Sequence, residues 1–179
     1  MKLAIGGLFA VLLSSTVFAQ SAYDRNDWKH WEDFDGDCQN TRHELLIVSS
    51  IVPVTFTNAQ ACTVSSGIWL GPYTGQVFTM ASDVDIDHII PLKYANDHGG
   101  ARWSPLLKKV FANDPDNILV TEDNANQSKG AKGPSEYMPP RQEYQCEYIR
   151  RWRFLLSKYE LRADAADVAA IRNIDRSCR

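Results

Sequence analysis

Four cysteines that all follow an export-like leader constrain this 179-residue chain more than any other feature. Lys2 precedes a largely apolar run, Leu3 to Leu13, and small residues then lead to Val17-Phe18-Ala19. A positive start, a short apolar centre and small residues before the cut describe a secretory signal peptide, residues 1–19, cleaved after Ala19. The run is short for a membrane span of roughly 20 residues, so no membrane contact is expected after cleavage. An exported chain folds where thiols oxidise, and an even cysteine count there reads as disulfides. Cys38, Cys62, Cys146 and Cys178 allow three pairings. Cys38–Cys62 and Cys146–Cys178 are favoured because each pair flanks one compact segment. Zinc is a weak competitor without a C-x-x-C pair. The expected location is secreted or periplasmic.

Residues 20–179 suit a single domain, large enough to bury a core. A hydrophobic content of 44% and a charged content of 23% are ordinary for a globular chain and argue against wholesale disorder. Thr41-x-x-Glu44 reads as a capping box opening a helix through Leu45, Leu46, Ile47 and Val48. Val54 to Met80 is rich in Val, Thr, Ile and Phe, with turn signals at Ser65-Ser66-Gly67, Gly71-Pro72 and Thr74-Gly75, which predicts short strands. A helix fits Pro105 to Ala112, and Ile118-Leu119-Val120 reads as a strand. A further helix is expected from Thr121 to Gly130. Gln142 to Tyr159 carries apolar and aromatic residues at helical spacing, and a last helix fits Asp164 to Ile174. The expected fold class is α+β, a small mixed domain braced by disulfides.

The densest polar constellation is Asp83-Val84-Asp85-Ile86-Asp87-His88-Ile89-Ile90-Pro91-Leu92. Its alternation suggests a strand end that delivers a carboxylate and an imidazole to a cleft, with Asp83 and Asp85 as surface charges. Asn113-Asp114-Pro115-Asp116-Asn117 and Asn124-Ala125-Asn126-Gln127-Ser128-Lys129-Gly130 follow. Hydrolysing a phosphodiester needs a base for water and a cation for the charge on phosphate and leaving oxygen. A neutral imidazole is a base near neutral pH. Mg²⁺ takes oxygen ligands and keeps several waters, so one carboxylate and one Asn carbonyl make a minimal cage.

These three blocks, D-x-D-H-I-x-P-L, D-N-I-L-V and N-x-x-K-G, resemble the ββα-metal motif of HNH endonucleases. With Asp35-Gly36-Asp37-Cys38, Asn40-Thr41-Arg42, Gly100-Ala101 and Trp103, the chain resembles an exported HNH family related to the C-terminal domain of GmrSD restriction enzymes. The resemblance implies a ββα-metal core with flanking helices and a longer insert between His88 and Asn117. It implies His88 as the general base, Asp87 as a metal carboxylate, Asn117 as the residue orienting the loop and the base, and Asn126 as the residue completing the metal site. Lys129 falls where a phosphate-contacting lysine is expected, and Arg42 either pairs with nearby carboxylates or meets phosphate. The implied activity is a Mg²⁺-dependent endonuclease, with Mn²⁺ or Ca²⁺ as alternatives. It would act as a monomer on DNA, with RNA as an alternative substrate, leaving 5′-phosphates.

Net charge bears on the partner. Residues 20–127 carry 7 basic and 15 acidic side chains, and residues 128–179 carry 11 basic and 7 acidic. That split excludes a grip through the whole surface but leaves one basic wall (Lys129, Lys132, Arg141, Arg150, Arg151 and Arg153) for a phosphate backbone. No base-reading helix or finger motif is present, so little sequence preference is expected. His98 is expected in an exposed turn. A non-catalytic reading competes: Asp33, Asp35, Asp37 and Glu44 space like a calcium loop, although Gly36 is misplaced for its sharp turn. A zinc hydrolase using His88 and His98 is a weaker third.

Overall fold

The computed structural model describes residues 22–178; the expected leader and the cut after Ala19 lie outside them. Asn40, not Thr41, caps the first helix, α1 (Thr41–Ser49), by accepting a hydrogen bond from the His43 N–H. Thr41 lies inside the first turn, and its hydroxyl donates instead to the Glu32 carbonyl. Strands β1 (Thr55–Phe56), β2 (Val64–Leu70) and β3 (Val77–Met80) form an antiparallel sheet in that order. The expected turn at Ser65-Ser66-Gly67 is instead part of β2, where the pairing with β3 shifts register between Ser66 and Trp69. A Cβ on Gly67 would meet Ser50 Oγ and the Trp69 ring at 2.7 Å, so this glycine answers a close approach and not a chain reversal. The reversal comes at Gly71 to Gly75, with Gly75 at φ 80°.

The second sheet has two antiparallel strands, β4 (Val84–His88) and β5 (Ile118–Glu122). Asp85 faces Thr121, Asp87 faces Leu119, and His88 faces Ile118 across the ladder. Between these strands the chain runs through α2 (Leu92–Asp97) and α3 (Pro105–Ala112), which form the insert. Helix α4 (Asp123–Lys129) starts directly after β5, two residues later than expected. Thr121 and Glu122 have helix-start chemistry, but pairing with Asp85 and Val84 keeps them extended. Gly130 ends α4 at φ 51°. Helices α5 (Gln142–Lys158) and α6 (Ala165–Ser177) complete the chain.

This two-stranded sheet divides the interior. Val84, Ile86, Ile118 and Val120 pack with Leu46, Val64 and Trp69 on one side. Leu119 and Ala125 join Tyr73, Ile89, Tyr148 and Trp152 on the other. Period-two alternation in β4 and β5 thus serves two cores at once. The cysteines form two disulfides, Cys38–Cys62 and Cys146–Cys178. The first ties the acidic segment to the approach to β2, and the second ties α5 to the end of α6. The fold is α+β: six α-helices and two small antiparallel sheets among the described residues.

Candidate active site

Alternation along β4 sends Asp85 and Asp87 towards α4, and Ile86 and His88 to the opposite face. On the α4 face, Asn126 Nδ2 donates to Asp85 Oδ2 at 2.9 Å. Asp85 and Asn126 are both half-buried, and a carboxylate with an Asn side-chain oxygen is a hard donor set of the kind Mg²⁺ takes. Asp87 is engaged differently. Its Oδ2 accepts from the Tyr73 hydroxyl at 2.5 Å, and its Oδ1 accepts from Lys129 Nζ at 3.0 Å. Lys129 also donates to the His88 carbonyl at 2.7 Å. Burial pulls the Asp87 carboxyl above its ordinary range and the Lys129 ammonium below its own, while their mutual attraction opposes both shifts.

His88 closes the strand on the other face. Its Nε2 lies 2.8 Å from the Ala112 carbonyl. A carbonyl can only accept, so Nε2 carries the proton and Nδ1 keeps its lone pair. Burial pulls the imidazole down to about 3, with the Ala112 hydrogen bond opposing. Trp31 stacks on the ring at 5.8 Å, and the His30 ring lies edge-on at 6.4 Å. Asn117, wholly buried, accepts from the Ile90 N–H at 2.9 Å and donates to the Ile90 and Phe111 carbonyls. One amide thus joins the exit of β4 to the end of α3, next to the carbonyl that holds His88.

The four motif residues therefore collect around the end of β4, but in an arrangement the spacing alone did not give. Asn126 bonds to Asp85, the aspartate the sequence reading set aside as a surface charge. The signal was present, since Asp85 and Asp87 share a face at a spacing of two. Lys129 is fully buried beneath Asp87, so its side chain faces no phosphate. Arg42 neither pairs with the acidic segment nor projects outward: it donates to the Ala81 and Val84 carbonyls at 3.0 Å each. No sequence signal marked Tyr73, Trp31 or His30, which reach the site only through folding.

The expected basic wall is largely neutralised. Arg141 pairs with Glu143, Arg150 with Glu147 and Arg153 with Asp175. Arg151 donates to the Pro115, Asp116 and Ile118 carbonyls, and Lys132 to the Ser128 carbonyl. His98 is half-buried, stacked on Tyr94 at 3.7 Å, and not in an exposed turn. Asp33, Asp35 and Asp37 can each direct a carboxylate oxygen to within 4.8 Å of the others. Asp33 also accepts from the Gly36 and Cys38 N–H groups, which shapes the turn.

With this geometry in view, comparison with known proteins is informative. Residues 55–170 match the family model for the C-terminal domain of GmrSD restriction endonucleases. A protein of Arthroderma benhamiae named "Uncharacterized secreted protein" is 38% identical over 164 residues, spanning 89% of this chain and 77% of that protein. No solved structure matches. The matched region holds both strands of the second sheet, α4 and the insert, and the chain belongs to the GmrSD C-terminal domain family.

Proposed function

We propose that residues 20–179 act as one exported nuclease domain, an endonuclease that hydrolyses phosphodiester bonds of DNA, with RNA as the alternative substrate, and with little sequence preference. Family membership supports a nuclease-like activity and a nucleic-acid substrate. One observation carries the mechanistic reading: His88 is a neutral imidazole with Nε2 committed to the Ala112 carbonyl and Nδ1 left as a lone pair. Nδ1 takes a proton from water as the water oxygen bonds to phosphorus and the P–O3′ bond breaks. The departing O3′ takes a proton from solvent water, His88 later returns its own to solvent, and the products are a 5′-phosphate and a 3′-hydroxyl. Asn117 fixes the loop that aims the base, and Lys129 and Tyr73 fix Asp87. Adjacent residues straddle a strand, so the phosphodiester would cross the end of β4, with His88 on one side and the carboxylates on the other. Asp85 and Asn126, with Asp87 beside them, are the residues that would hold Mg²⁺, with Mn²⁺ or Ca²⁺ as substitutes. Such a cation supplies charge stabilisation at the phosphate and the leaving oxygen. The two disulfides and the secreted relative support a location outside the cytoplasm.

Plasmid nicking by the oxidised protein with Mg²⁺ tests this reading against a His88→Ala variant. Wild type should nick, and the variant should lose about 10²–10⁴-fold in rate, the usual worth of a general base. Equal nicking by both, or none by wild type in any divalent metal, overturns it. The convergent aspartates at 33, 35 and 37 favour a second reading, a non-catalytic module that holds Ca²⁺. That reading requires a melting temperature that rises with Ca²⁺ and falls with EDTA, together with no nicking.

A further inference from the structure

The cations around His88 are unequal. Lys129 donates to the His88 carbonyl, the His30 ring lies 6.4 Å from the His88 ring, and Arg25 Nη2 lies 3.5 Å from His30 Nε2. Lys129 is buried and ion-paired with Asp87. Lys108 and Lys109, on the helix ending beside His88, are paired with Asp27 and Glu32. Arg25 and His30 make no ion pair among the described residues, and Arg25 is exposed. Both precede the region that matches the family.

The chain pins the segment that carries His30 against the site, and Arg25 reaches it through His30. Asn113, one residue beyond the Ala112 carbonyl that binds His88, donates to the Lys29 carbonyl at 2.8 Å and accepts from the Glu32 N–H at 3.3 Å. Thr41 binds the Glu32 carbonyl at 2.8 Å. The Lys29–Glu32 segment is therefore a strap pinned at both ends, with His30 and Trp31 as the side chains delivered to His88. Trp31 adopts φ 59°, a costly conformation for a bulky residue that the pinned ends enforce. His30 Nδ1 donates to the Trp28 carbonyl at 2.8 Å, which leaves Nε2 facing the Arg25 guanidinium at 3.5 Å. The carboxylates close by are engaged: Asp24 accepts from the Asn26 N–H, and Asp27 from Lys108. With Nδ1 donating, His30 Nε2 accepts from Arg25 Nη2 and holds one corner of a guanidinium that carries no carboxylate, so its other N–H groups are left for an anion beside the base.

We propose that Arg25, held in place by His30 on the pinned strap, binds a phosphate of the strand presented to His88 and so supplies a backbone grip next to the base. This rests on the nuclease reading, but it is tested without cleavage. The measurement is fluorescence anisotropy of the mature, oxidised protein with a labelled DNA duplex in EDTA, across a salt series. Arg25→Gln/His30→Gln should weaken binding about tenfold and reduce the magnitude of the salt slope by about 1, the loss of one phosphate contact. Arg25→Lys alone should retain most of the affinity, and Arg153→Gln should match wild type. Near-wild-type melting temperatures confirm that the variants fold. An unchanged affinity and slope in the double variant, or no binding by wild type, overturns the inference. A wild type that binds through these residues yet never nicks would sink the nuclease reading and leave this one standing. A wild type that nicks while the double variant binds normally would do the reverse.

Discussion

At the residue scale, the two aspartates of β4 stand in different surroundings: Asp87 is buried against Lys129 and Tyr73, and Asp85 is half-buried against Asn126. Asp87 and Lys129 form a buried pair, and removing one partner leaves an uncompensated charge. Asp87→Asn should therefore destabilise the fold by about 3–5 kcal/mol, read from urea melts in EDTA. Asp85→Asn, at a half-buried position, should cost little stability but weaken divalent-metal binding, read by calorimetry. Equal metal affinity in wild type and Asp85→Asn would remove Asp85 from the proposed cage. His88 makes a separate prediction about pH. Its folded value is about 3 and its unfolded value near 6.5, so between those limits the unfolded chain binds more protons. The contribution is complete above about pH 6.5 and is lost as pH falls towards 3, by up to about 1.4 kcal/mol per pH unit. In EDTA, wild type should lose more stability between pH 7 and pH 4.5 than His88→Asn does. Parallel losses would show that the ring is not held neutral by burial.

At the scale of elements, the site depends on joints between them. Asn117 satisfies three backbone groups from β4's exit and α3, and Asn117→Ala would leave buried groups unpaired at about 1–3 kcal/mol each. The activity of that variant should fall even under conditions where it stays folded, because the Ala112 carbonyl and the His88 ring lose their common anchor. Full activity in folded Asn117→Ala would reduce this residue to a stability role. The α5–α6 pair is tied by Cys146–Cys178 across a separation of 32 residues. Loop-entropy reasoning predicts a loss of about 3–4 kcal/mol for the Cys146→Ser/Cys178→Ser variant, with the melting temperature as the readout. Reducing agent should lower the wild-type melting temperature in the same direction.

At the scale of the whole molecule, charge is distributed unlike the linear count. The C-terminal third is basic in sequence, yet Arg141, Arg150 and Arg153 meet carboxylates and Arg151 meets backbone carbonyls. A protein gripping a phosphate backbone through so few uncommitted cations should show a shallow salt dependence. The slope of log K against log salt should lie near −2 to −3, as about two or three phosphate contacts give. A slope near −8 would restore the basic-wall picture. Such a grip suits an enzyme that must let go of its product.

Sequence alone settled the local terms. It placed α3, α5 and α6 within a few residues because 3.6-residue periodicity and capping are local, and it paired the cysteines through chain proximity. It also brought His88, Asn117 and Asn126 forward as ordered blocks, through their resemblance to the HNH motif. What it could not supply was which groups share a face and which are already taken. The extension of β5 through Thr121 and Glu122 follows from partners 36 or more residues away across the ladder. The burial of Lys129, the pairing of Asn126 with Asp85, and the strap that sets Trp31 and His30 against His88 likewise arise from contacts between distant segments. Hydrogen bonding and desolvation are decided by neighbours in space, and only the tertiary structure brings those neighbours together.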